Sequence, residues 1–242
     1  MKTVGNSDIG RLRQNNEDAF RFGRIDDSVC WAVVCDGMGG ASGGQIASTV
    51  AADMVSKKIE KCYNRSMSES SIENMLLSAI TTANVTVYDR AIADEFLNGM
   101  GTTIVAAVIK NGHINVAHVG DSRAYLIHDG EIRQITKDHS LVQEMFDQGQ
   151  LSRSELKNNN LRNIITRALG VSEGVEIEFN NAELGKGDVL LLCSDGLTNE
   201  VTDEQILSIF ETTKFELYPA KLIEQANKAG GKDNITVVAV QG

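Results

Sequence analysis

Proline is nearly missing from this 242-residue chain: there is one, Pro219, and no Gly/Ser-rich linker. Nothing marks a boundary between domains, so a single domain over residues 1–242 is expected. Long hydrophobic runs are missing too. The longest, 104–109, is far short of a membrane span. The opening Met1-Lys2-Thr3-Val4-Gly5-Asn6 lacks the apolar stretch of a secretion signal. Cysteine is scarce. Cys30, Cys35, Cys62 and Cys193 form no CxxC pair, and three of them lie in or at the ends of apolar runs. They read as reduced, buried thiols of a cytoplasmic protein rather than a disulfide framework or a zinc site. Basic charge is in deficit, with 23 Lys+Arg against 33 Asp+Glu and a formal net charge of −10. Such a chain repels phosphate backbones, which argues against nucleic acid as a partner. No segment repeats at a period of 20–50 residues.

What is present is a core. Hydrophobic residues make up 42% of the chain, too many for a disordered protein. Short β-rich runs recur at 30–35, 102–109, 114–119, 124–127, 189–193 and 235–240. Several do not alternate polar with apolar, as expected of strands buried on both faces. Asn111-Gly112 and Asp129-Gly130 join neighbouring runs. Both dipeptides suit two-residue hairpins because their residues tolerate positive φ. Amphipathic helices are expected over 44–61, 70–96, 203–210 and 219–229. Pro219 fits a first helical turn and Gly230 a C-terminal cap. The prediction is an α+β fold: two antiparallel β-sheets packed together and flanked by helices, a layered sandwich. The polar stretch 138–163 reads as a surface excursion, helical only in part.

Acidic residues recur at the ends of the apolar runs. Residues 31–35 lead into Asp36-Gly37, 189–194 into Asp195-Gly196, and 116–120 into Asp121. Asp233 immediately precedes Asn234-Ile235, and Asn16-Glu17-Asp18 lies near the start. One Asp-Gly after a strand is ordinary turn chemistry. Several suggest a shared site. Two like charges about 4 Å apart repel by roughly 4 kcal/mol at an effective dielectric of 20. A cluster must therefore protonate or take up cations. An all-oxygen site favours Mg²⁺, Mn²⁺ or Ca²⁺ over zinc. Two ions sharing one carboxylate would support a bridging water as nucleophile, with no activated Ser or Cys. Arg13, five residues before Asp18, offers a planar fork to phosphate oxygens. The cluster Gly37-Met38-Gly39-Gly40-Ala41-Ser42-Gly43-Gly44 fits neither a P-loop nor GxGxxG. It reads as a tight strand-to-helix turn beside Asp36.

These pieces, in this order, resemble the metal-dependent phosphatases of the protein phosphatase 2C family in their compact bacterial form. The carriers are Ser7-Asp8-Ile9-Gly10 through Arg13 to Asn16-Glu17-Asp18, Val34-Cys35-Asp36-Gly37-Met38-Gly39-Gly40, and Gly101-Thr102-Thr103. Val119-Gly120-Asp121-Ser122-Arg123-Ala124, Thr166-Arg167-Ala168-Leu169-Gly170, Ser194-Asp195-Gly196-Leu197 and Gly231-Lys232-Asp233-Asn234-Ile235-Thr236 follow. The resemblance implies a four-layer αββα sandwich that hydrolyses phosphoserine and phosphothreonine in proteins with Mn²⁺ or Mg²⁺, through a metal-bridging water. It implies that Asp36 bridges two ions and that Gly37 gives its carbonyl to one. By the same resemblance Asp195 and Asp233 would ligate the other, and Glu17 would hold an ion through water. Arg13 would bind the substrate phosphate. Asp121, with Asp195, would form a third, weaker metal site, while Asp18 and Asn234 would support the ligands. The excursion at 138–163 corresponds to the family's flap.

The pattern has departures. Met38 stands where some members carry His, a candidate general acid. Ala41, Gln45 and Asn159-Asn160 stand where bacterial members often have His, Glu and His-Pro. None removes a ligand. His113 and His128 read as surface residues, His118 as a core histidine, and His139 as a candidate near the flap. The implied partners are phosphorylated proteins made by a bacterial Ser/Thr kinase, with no membrane partner and a monomeric state. The rival reading in the same fold is a catalytically weak phosphate- or metal-binding regulatory module. A two-metal phosphodiesterase or nuclease is opposed by the acidic charge.

Overall fold

A computed structural model describes every residue except 153, 154, 156–158 and 160. Its core explains the unbroken apolar runs. In β3 (Val29–Met38), Trp31, Val33 and Cys35 face helices, whereas Cys30, Ala32 and Val34 face the opposite sheet. The side chains still alternate with period two, but both sides are dry. Strands β5 (Ile104–Lys110) and β10 (Val189–Cys193) behave alike, and each fully buried Val or Leu contributes about 1.5–3 kcal/mol.

Two antiparallel sheets result. The first has the order β1 (Lys2–Asp8), β11 (Ile235–Gln241), β10, β7 (Arg123–His128), β8 (Glu131–Gln134). The second has the order β2 (Asp18–Asp26), β3, β5, β6 (His113–Val119), β9 (Glu178–Glu183), with β4 (Gly101–Thr102) pairing the end of β3. Helices α1 (Gly40–Cys62) and α2 (Glu69–Ala93) cover the second sheet. A short helix α3 (Leu141–Asp147) and a single turn α4 (Asp195–Thr198) follow. Helices α5 (Asp203–Thr212) and α6 (Tyr218–Ala229) then cover the first sheet. This is the expected four-layer αββα sandwich. Thr202 and Gln205 form a capping box at the start of α5, Pro219 lies in the first turn of α6, and Gly230 ends it.

Both predicted hairpins are two-residue turns with positive φ: Asn111 (52°) with Gly112 (90°), and Asp129 (48°) with Gly130 (76°). A β-branched side chain resists that backbone. Asn111→Val is expected to cost about 1–2 kcal/mol, read as a lower urea midpoint at unchanged slope.

Antiparallel pairing places the predicted carboxylates along one rim of the sandwich. Asp18, which begins β2, lies opposite Asp36 near the end of β3. Asp195 follows β10 while Asp233 precedes β11, and those strands pair as neighbours. Asp121 follows β6, and the chain between β8 and β9 rises over the same rim. That excursion is closed at its base by a Ser140–Ile165 bridge and by Leu141 N–H donating to the Ile164 carbonyl at 2.8 Å. Asn160 and the Lys157-Asn158 part of the polar run lie outside the described residues.

Candidate active site

Glu17, Asp36, Gly37, Asp121, Asp195 and Asp233 line one cleft of about 510 Å³, together with Arg13, Met38, Thr103, Asn163 and Ile165. Each is held by local structure. The main chain of Asp36 is clamped from both sides. Its N–H donates to Thr103 Oγ1 (3.0 Å), and its carbonyl accepts from Thr103 N–H (2.8 Å) and Thr102 Oγ1 (2.9 Å). Thr103 Oγ1 in turn shares a hydrogen bond with Ser122 Oγ at 2.7 Å. Gly37 is required by close approach. A Cβ there would lie 2.2 Å from the Gly44 carbonyl oxygen and 2.5 Å from that of Glu17.

The N-terminal segment is tied to the last strand by Asn234. Its Oδ1 accepts from Glu17 N–H (2.8 Å), and its Nδ2 donates to the carbonyls of Ile9 and Asn15 (2.9 Å each). Asp233 accepts from its neighbour Asn234 N–H (2.8 Å) and from Arg13 Nη2 (2.7 Å). Asp195 Oδ2 accepts from Asn199 Nδ2 at 2.8 Å, whereas its Oδ1 is buried with no hydrogen-bond partner. Asp18 sits below the cleft, with Oδ2 bonded by Ser194 Oγ (2.8 Å).

Residues 5–236 match the family model for protein phosphatase 2C. The chain is 38% identical over 236 residues to a serine/threonine phosphatase stp of Listeria welshimeri, covering 97% of this chain and 93% of that one. The chain belongs to the protein phosphatase 2C family. The serine/threonine phosphatase of S. agalactiae superposes on this phosphatase with a TM-score of 0.91 at 35% identity, covering 98% of both chains. The catalytic domain of the serine/threonine protein phosphatase PstP, solved in complex with 2 manganese ions, superposes with a TM-score of 0.85 at 32% identity, covering 99% and 97%. The full-length PstP of Mycobacterium tuberculosis is 34% identical over 238 residues, which cover 44% of its length.

The electrostatics of the phosphatase cleft call for cations. Burial, then repulsion from Asp18, Asp195, Asp121 and Asp233, pushes the Asp36 carboxyl well above the usual range. Burial and Asp195 do the same to Asp121. Burial and Asp233 raise Asp195, and burial raises Glu17. Burial of its carboxyl pushes Asp18 up to about 7. Arg13 is raised by its bond to Asp233, yet one guanidinium cannot offset several carboxylates. The orphaned Asp195 Oδ1, the crowding and the all-oxygen donor set fit Mn²⁺ or Mg²⁺.

The hydroxyl pair Thr103–Ser122 is a supporting feature that the pattern of acidic strand ends does not reveal. In the sequence the pair shows only as members of two motifs, Thr103 in Gly101-Thr102-Thr103 and Ser122 in Val119-Gly120-Asp121-Ser122-Arg123-Ala124. Met38 lines the cleft, so no imidazole stands beside Gly37 there. Gln45 is exposed, and the side chain of Ala41 and residue Asn160 lie outside what the structure describes. Cys35 and Cys193, near the ends of β3 and β10 and shortly before Asp36 and Asp195, are buried. Burial pushes the Cys193 thiol up to about 12 and raises Cys35 as well, so neither is a ready nucleophile. His113 and His128 are surface residues bonded to Glu183 and Asp188, and His118 is buried.

Proposed function

We propose that Glu17, Asp36, Gly37, Asp195 and Asp233 hold the two core divalent ions of a metal-dependent protein serine/threonine phosphatase, that Asp121 with Asp195 holds a third, and that Arg13 receives the substrate phosphate. The observation that carries this reading is the convergence of all seven residues on one cleft. The ions, when bound, supply Lewis-acid activation of water and neutralise charge on the phosphoryl oxygens. The chain's own residues do the rest. The main chain of Asp36 is fixed by Thr102 and Thr103, which sets the point from which its carboxylate enters the cleft. Asn234 keeps Glu17 and Asp233 in register. Arg13, half-exposed at the mouth, presents its fork to the equatorial oxygens of an incoming phosphomonoester, where charge builds in the transition state. Asp18 and Asn234 support the ligands from below.

The single domain spans residues 1–242, and the excursion at 138–163 acts as the flap beside the cleft, to which it contributes Asn163. The substrates are phosphoproteins, as the serine/threonine phosphatase relatives support, and a Ser/Thr kinase would supply them. Among the described residues no helix is long and apolar enough to cross a membrane. The intact carboxylate set opposes a regulatory module without catalysis.

The direct experiment is phosphate release from a phosphothreonine peptide with Mn²⁺, with and without chelator. Turnover that ignores the chelator would sink the reading. Arg13→Lys keeps charge but loses the fork. It is expected to lower kcat/KM for the phosphopeptide about tenfold to a hundredfold, with a fall in kcat that reports the lost transition-state contact and Mn²⁺ binding retained. An unchanged kcat/KM would remove Arg13 from the phosphate site.

A further inference from the structure

Outside the cleft, the described residues contain one cluster with the composition of a metal site: His118, His139 and Glu178, whose ligand atoms lie within 4.8 Å of one another. His118 Nδ1 is buried without a hydrogen-bond partner. The geometry nevertheless excludes a shared ion. The two imidazoles are stacked, with centroids 4.6 Å apart and planes inclined by 19°. Ring lone pairs lie in the ring planes, so those of stacked rings run side by side and do not converge. The tautomer points the same way. Gly120 N–H donates to His139 Nδ1 at 3.1 Å, so the proton of the neutral ring sits on Nε2, which faces Glu178 Oε2 at 3.3 Å. The Arg167 guanidinium also reaches that edge, at 3.5 Å, but it is a second donor and is itself paired with Glu176. Burial, reinforced by His118 and Arg167, lowers the pKa of His139 and favours the neutral ring.

What the cluster does is visible in the main chain. His139 N–H donates to the Gly120 carbonyl (3.0 Å), and its side chain receives the Gly120 N–H. One residue thus holds both polar groups of the glycine that precedes Asp121. Gly120 has a φ of 102° and no room for a Cβ, which would lie 2.6 Å from the Thr103 side chain. The His139 carbonyl accepts from Thr166 N–H (2.8 Å), and the adjacent Ser140 bridges to Ile165. Both limbs of the flap therefore meet the Asp121 loop at His139. The ring is kept in place from behind by stacking on His118, whose Nε2 is bonded to the Lys137 carbonyl at 2.8 Å.

We infer that His139 is a positioning residue that couples the flap to the cation ligand Asp121, with Glu178 fixing the ring so that Nδ1 stays an acceptor. This rests on the reading of Asp121 as a ligand. It makes the flap and the weaker cation site one mechanical unit, so that moving either changes the other.

The test compares His139→Leu, His139→Asn and Glu178→Leu with the parent, and uses Asp121→Asn as the reference. Two quantities are read: the Mn²⁺ binding isotherm, and amide hydrogen exchange of Gly120 and Thr166 in metal-free protein. His139→Leu is expected to speed exchange at Gly120 at least about tenfold and to weaken the weakest Mn²⁺ site about tenfold to a hundredfold. His139→Asn is expected to restore both, because its Oδ1 can accept from Gly120. Glu178→Leu lies on a half-exposed edge strand, which the fold tolerates, and is expected to give a smaller loss of the same kind. Parent-like exchange in both leucine variants, or failure of the Asn variant to rescue, overturns the proposal. If Asp121→Asn leaves the weakest Mn²⁺ site intact, the ligand role of Asp121 fails, and the exchange data alone judge His139.

Discussion

Asp36→Asn is expected to leave less than about a thousandth of the phosphatase activity toward a phosphothreonine peptide in Mn²⁺. The substitution is nearly isosteric. The bonds that fix residue 36 are made by its main chain to Thr102 and Thr103, so they survive. What is lost is the negative oxygen at the centre of the carboxylate group. The same change removes the charge that four neighbouring aspartates repel. The metal-free variant should therefore melt higher than the metal-free parent at pH 8. Loss of activity with gain of stability is the signature of a functional charge, since a structural residue would lose both. Activity within tenfold of the parent would show that the cations are held elsewhere.

The second large effect is on stability. Asp18, Asp36, Asp121 and Asp195 all have raised carboxyl pKa values. A group whose pKa is raised on folding binds its proton more tightly in the folded state. Its contribution is complete below the unfolded value of about 3.9 and is lost as pH climbs through the folded value, which for Asp18 is about 7. From these groups, metal-free protein should lose stability between about pH 4 and pH 8. Divalent cations reverse the sign by favouring the ionised carboxylates. At a concentration 100 times the dissociation constant, one bound ion adds about 2.7 kcal/mol, or roughly 5–10 °C in midpoint for a chain of this size. Scanning calorimetry at pH 5.5 and pH 8, with Mn²⁺ and with chelator, checks both halves. The Mn²⁺ increment should be larger at pH 8. An increment independent of pH would mean that the ions do not bind at these carboxylates.

Much of this was legible in the residues because burial writes itself into composition. The runs at 30–35, 104–109, 114–119, 124–127, 189–193 and 235–240 are the inner strands, dry on both faces, and their apolar character is continuous. Strands β1, β2, β8 and β9 carry no such run, and they are the four edges of the two sheets. An edge strand such as β9, Glu178–Glu183, has one neighbour and a half-wet face, so Asn180, Asn181 and Glu183 can stand in it. The carboxylates of the cleft were readable because acidic groups at strand ends are costly unless something uses them. The roles of Thr103 and Ser122, and the way His139 holds Gly120, were not. Their work is done through hydrogen bonds to main-chain atoms far away in sequence, and a hydroxyl or an imidazole looks the same in a sequence whether or not it makes one.

The position of β11 has a consequence for how the molecule is made. It is the last strand in the chain, yet it lies between β1, the first, and β10. Lys2 pairs with Gln241, and Asp8 with Ile235. Contacts of such sequence separation close slowly. Asp233, at the head of β11, and Asn234, which anchors Glu17, reach the rim only when that strand slots in. During synthesis Asp233 and Asn234 therefore stay away from the rim until that strand has emerged, although Asp18 and Asp36 already face each other across β2 and β3. If Asp233 holds a cation as proposed, assembly order acts as a timer: the proposed ligand set is complete only once β11 is in place.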